Sequence, residues 1–155
     1  MMRYNQVKDL VDWAAGFHAR MAGQYSEAAS KAENERLQMA FNYLAGRELK
    51  MKTGLENLFH DGSDHSEVLE IWFDDSSDFP QPPELDRMAE QTVTGSIDDA
   101  MRTAASAHQR LQALYEYRAS RAKIEPEEEF FNALAQGHNS EIRHIMASME
   151  ELQGV

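Results

Sequence analysis

The sequence contains no cysteine. Disulfides, thiolate zinc sites, iron–sulfur clusters and thiol catalysis are therefore excluded, and any metal has to be held by histidine, carboxylate or water. Long hydrophobic runs are also missing. No stretch approaches the roughly 20 apolar residues of a membrane span. The first ten residues, which include Asn5, Gln6, Lys8 and Asp9, lack the basic-then-apolar pattern of a secretory signal. The cytoplasm is the expected location. Positive charge is scarce: 15 Lys and Arg stand against 27 Asp and Glu, for a formal net charge of −12. Such a surface repels phosphate, so neither nucleic acid nor an anionic membrane is expected as a partner. There is no glycine-rich phosphate loop, no nucleophile elbow and no internal repeat. Strand patterning is absent too, since Thr92-Val93-Thr94 is too short to count.

What is there is helical spacing. A hydrophobic fraction of 42% over 155 residues suits one folded domain covering residues 1–155. Apolar residues recur every three or four positions in four long segments, predicting helices over about 5–29, 34–59, 96–120 and 126–152. Asp61-Gly62-Ser63 is turn chemistry after the second. Ser96-Ile97-Asp98-Asp99 places a capping hydroxyl ahead of two acids at the start of the third. Pro126 followed by three glutamates opens the fourth. Residues 60–95 hold three of the four prolines and an acidic run from Asp74 to Asp78. Two short apolar patches, Val68–Phe73 and Leu85–Met88, read as small helices within that crossover. The expected fold is all-α: an antiparallel four-helix bundle made of two helical hairpins joined by a long crossover containing short helices.

Each helical row is interrupted near its middle by a metal-binding residue type. The rows run Val7, Val11, Ala14, His18, Met21, Tyr25; then Leu37, Phe41, Leu44, Glu48, Met51, Leu55; then Ile97, Met101, Ala104, His108, Leu111, Tyr115; and Phe131, Leu134, His138, Glu141, Ile145, Met149, with His144 one turn on from Glu141. Residues three and four apart share a helix face, so these polar groups point where their apolar neighbours point. Carboxylates are rarely buried unpaired. Polar groups at matching levels of four helices predict one shared site, with His18, Glu48, His108, Glu141 and His144 as candidate metal ligands. The competing reading is a metal-free network in which His18 pairs with Glu48 and His108 with Glu141 across the core. His138 is expected as a supporting or surface residue, and Met51, Tyr25 and Tyr115 as packing residues. His60, Asp61, Asp64 and His65 form a weaker cation candidate. Trp13 and Phe17, on the flank of the first row, are expected to meet the crossover or a second copy of the chain.

With these mid-helix positions the chain resembles the ferritin-like superfamily, in particular rubrerythrin-like carboxylate-bridged di-iron proteins. The family pattern is one Glu from the first and third helices and Glu-x-x-His from the second and fourth. Glu141 and His144 match it fully. Glu48 matches in part, because Met51 stands at the His position, and His18 and His108 stand where the family has Glu. The resemblance implies a divalent metal, iron first with manganese or zinc as alternatives, as one or two ions, and redox or oxygen- and peroxide-linked chemistry. Two carboxylates balance only one divalent ion, so the donor set suits a single ion better than a pair. A homodimer is the expected assembly by the same likeness. The alternative function is a metal-free helical scaffold or interaction protein with a degenerate central polar network; acid–base catalysis by the paired carboxylates has no further support in the sequence.

Overall fold

A computed structural model describes residues 6–58, 66–74, 82–91 and 95–153. The described residues are mostly helical, in six helices: α1 (Val7–Lys31), α2 (Glu35–Asn57), α3 (Ser66–Leu69), α4 (Pro82–Glu90), α5 (Ile97–Ser120) and α6 (Glu125–Gln153). Among them there is no strand, only an isolated antiparallel bridge between Gln6 and Trp72. No described helix is long and apolar enough to cross a membrane. Phe59, the 60–65 cation candidate, most of the acidic run and Thr92–Thr94 lie outside the described residues.

Local chemistry sets the helix starts. Asn34 caps α2 by accepting a hydrogen bond from the Leu37 N–H at 2.8 Å. At α5 the Ser96 hydroxyl accepts from the Asp99 N–H at 3.1 Å, and the Asp99 carboxylate accepts from the Ser96 N–H at 3.3 Å. This closed box forms with Asp in place of the longer Glu. Gly95 precedes it with φ of 101°, where a Cβ would come 2.7 Å from Asp99 Oδ2. Only glycine fits that entry to α5. The fourth long helix starts at Glu125, one residue before Pro126, and the Glu127 carboxylate accepts from the Lys123 N–H at 2.9 Å.

The long helices pack along their apolar rows. α1 lies against α2 and α5 against α6, and α2 also meets α5 and α6. Tyr25, Phe17, Tyr115, Phe131, Leu10 and Leu111 are fully buried between them. Burying each such side chain contributes about 1.5–3 kcal/mol. α4 covers the Leu85–Met88 patch, whereas α3 ends at Leu69 and the rest of the Val68–Phe73 patch is not helical. α4 buries Leu85 and Ala89 and is tied to α1 through Asp86, which accepts from Trp13 Nε1 at 3.1 Å and pairs with Arg20 at 2.7 Å. Trp13 thus meets the crossover. α3 buries Val68 and Leu69, and the Val7 N–H donates to the Ile71 carbonyl at 3.0 Å.

Candidate functional site in the helical core

Polar residues interrupt the apolar rows at one depth. His18, Glu48, His108 and His138 lie close to the midpoints of α1, α2, α5 and α6, and all four are buried, His18 completely. Their neighbours on the same helix faces force this: Ala14 and Met21 flank His18, and Ala104 and Leu111 flank His108, all buried.

Glu48 is the hub. Its Oε1 lies 2.7 Å from His18 Nδ1 and its Oε2 lies 2.7 Å from His108 Nε2. The other nitrogen of His108, Nδ1, lies 2.8 Å from His138 Nδ1. Ring centroids are 5.9 Å apart for His18 and His108, 5.7 Å for His18 and His138, and 5.0 Å for His108 and His138. Tyr115 stacks on His138 at 5.5 Å, and Phe17 meets His18 edge-on at 5.7 Å.

The electrostatics follow from these contacts. Burial pushes the Glu48 carboxyl up, but the imidazoles of His108 and His18 outweigh it and hold Glu48 well below the usual carboxylate range. Burial lowers His108, yet the Glu48 charge and hydrogen bond raise it above its ordinary value. Burial, with His108 and His18 alongside, holds His138 well below the ordinary histidine value. Both shifts favour a proton on His108 over one on His138, an arrangement in which His108 donates from Nε2 to Glu48 and from Nδ1 to His138. Burial raises the Tyr115 phenol, and burial together with the Glu48 charge raises Tyr25, so both stay protonated.

Three of the predicted ligands, His18, Glu48 and His108, come together. Glu141 is buried at the same level but is turned to Arg47, whose Nε and Nη2 donate to its two oxygens at 2.7 and 2.5 Å. His108 accordingly pairs with Glu48 and His138, not with Glu141. His144 is exposed and stands outside the cluster, where its carbonyl accepts from the Tyr43 hydroxyl at 3.3 Å. At about 100° per residue, His144 is rotated some 120° from the direction of His138, whereas Ile145 returns to it. The Glu-x-x-His spacing therefore does not bring both members inward here.

His138 takes the place expected of His144. Its position in the fourth row, between Leu134 and Ile145, is the signal that identifies it. Arg47 had no such signal, being adjacent to Glu48 and off the row.

Beside the cluster a cleft of about 340 Å³ opens between α2 and α6, with His18, His138 and Tyr115 among its lining residues. Among the described residues, His18 Nε2 and the Tyr115 hydroxyl have no hydrogen-bond partner.

Three imidazoles and one carboxylate suit a first-row divalent ion. The contacts run as a chain, His18–Glu48–His108–His138, and use both ring nitrogens of His108, so the rings have to turn before all four residues can reach one ion. As they stand, the donors engage one another, and among the described residues no group of three or more is arranged as a ready-made metal cage. No protein-family model, no curated protein and no solved structure matches the chain.

Proposed function

We propose that the chain is a metal-binding helical bundle of ferritin-like outline that holds one divalent first-row ion, iron before manganese or zinc, through His18, Glu48, His108 and His138. The observation that carries this reading is the meeting of three imidazoles and a carboxylate from four helices at one buried level. A bound ion of this kind would supply redox or oxygen-linked chemistry. The protein's own residues orient the donors and exclude water. Glu141 is charge-matched by Arg47, which leaves Glu48 as the one carboxylate free to offset the ion. That balance favours a single ion over the di-iron pair of the ferritin-like pattern.

The test is metal content after purification without chelator, followed by uptake of Fe(II), Mn(II) and Zn(II) by the wild type and by Glu48→Ala/His108→Ala. About one ion per chain, lost in the double variant, supports the reading. Uptake no greater than a blank, or equal in the variant, overturns it.

A second reading is favoured by the mutual hydrogen bonds of the four side chains. In it the cluster is a metal-free polar network that fixes the register of a scaffold, with a second copy of the chain as partner. It predicts a melting temperature indifferent to chelator, and a dimer by light scattering.

A further inference from the structure

The cleft between α2 and α6 has a composition that packing does not explain. Its walls carry Met51 and Leu55 from α2 and Leu134 from α6, together with one glycine from each helix, Gly54 and Gly137. A Cβ added at either glycine would meet nothing within 4 Å. Neither glycine is required by close approach, and each is less favourable in its helix than alanine. Their effect is to leave the cleft open.

The deepest lining residues are His18 and Tyr115, both fully buried. Each keeps one polar atom without a partner among the described residues, Nε2 and the phenolic oxygen respectively. The two rings lie 5.7 and 5.5 Å from the His138 ring, and both stack on it. A buried polar atom left unpaired is destabilising, and a bound group can relieve it.

We infer that this cleft binds a small, mainly apolar molecule carrying a single hydroxyl, a phenol or an alcohol, whose oxygen reaches the Tyr115 hydroxyl. A hydroxyl suits that partner, since it accepts from the Tyr115 O–H. The size follows from the volume. An apolar cavity of about 150 Å³ takes one benzene, so about 340 Å³ takes a body of roughly twelve heavy atoms. Lys50 and Arg47, at the outer part of the lining, are long enough to flank such a ligand without entering its apolar contact. The inference stands beside the metal reading and does not depend on it.

The test is calorimetric titration of the whole chain, with and without chelator, using 4-propylphenol and propylbenzene. The expected result is one site per chain, with the phenol bound about tenfold more tightly than the hydrocarbon, as one hydrogen bond provides. Tyr115→Phe removes a hydroxyl with no protein partner. It should leave the melting temperature unchanged and abolish the preference. Gly137→Leu should fill the cleft and abolish binding of both probes. Absence of binding to the wild type, equal affinity for the two probes, or undiminished binding to Gly137→Leu would overturn the inference. So would a dimer that Gly137→Leu dissociates, since the cleft would then be covered by a second copy. Binding that persists in chelator while metal uptake fails would sink the metal reading alone.

Discussion

Glu48 holds two imidazoles at once, and its removal isolates the consequences of that arrangement. In Glu48→Ala, His18 Nδ1 and His108 Nε2 lose their acceptors in a core where neither ring is more than 1% exposed. Removing one partner of a buried, hydrogen-bonded charge cluster costs about 3–5 kcal/mol, because the groups left behind remain desolvated. For a chain of this size that corresponds to a fall of about 6–20 °C in melting temperature. Glu48→Gln keeps the shape but offers one carbonyl oxygen to two imidazoles, so its loss should be smaller. Glu56→Ala provides the control. Glu56 is half exposed and pairs with Lys52, and its loss should stay within about 0.5 kcal/mol. Urea unfolding of the three variants in chelator, followed by circular dichroism, gives the comparison. A Glu48→Ala loss under about 1 kcal/mol, close to that of Glu56→Ala, would refute the reasoning: the side chains would not be meeting in a dry core.

Arg47→Ala should cost about 1–3 kcal/mol, because buried Glu141 loses both donors; Arg20→Ala, at an exposed pair, should cost well under 1 kcal/mol in the same denaturation series. The metal-free protein should have a stability maximum near neutral pH. His108 is raised in the fold, so its contribution is complete below the ordinary histidine value and is lost as pH rises through the raised one. His138 is lowered from 6.5, so the unfolded chain binds the extra proton first and stability falls as pH drops below about 6.5. Glu48 is lowered, so its contribution persists until pH falls below the usual carboxylate range. His138→Phe should flatten the acid-side loss in melting curves taken between about pH 5 and 8. Gly54→Ala and Gly137→Ala should each raise stability by about 0.5–1 kcal/mol, since both sites are helical with open space for a Cβ.

Much of the helical layout is legible from periodicity, because an apolar row repeating every three or four residues has few other uses. The start of α5 follows from the Ser96 side chain reaching its own backbone and α4 from its apolar patch, whereas the Asn34 cap of α2 is seen only in the structure and α3 takes up only the first two residues of the Val68–Phe73 patch. The site is legible in proportion to how strictly its residues keep to the rows. His18, Glu48 and His108 keep to them and are buried. Glu141 also does, but its charge partner is decided by Arg47, a long side chain whose Cα lies off the row and whose reach across to α6 no spacing rule describes. His144 illustrates the opposite failure. A familiar Glu-x-x-His spacing fixes only the angle between two residues, not which of them faces the core, and the surrounding apolar residues of α6 turn Glu141 and His138 inward instead.

The central claim is that His18, Glu48, His108 and His138 meet in the core as a set of donors for one ion. Anomalous diffraction from crystals of the protein purified without chelator, recorded on both sides of the iron, manganese and zinc edges, tests it most directly. The account predicts one peak per chain within about 2.0–2.3 Å of nitrogen and oxygen atoms of those four residues. Four side chains hydrogen-bonded to one another with no anomalous peak between them, after soaking with each of the three metals, would contradict it.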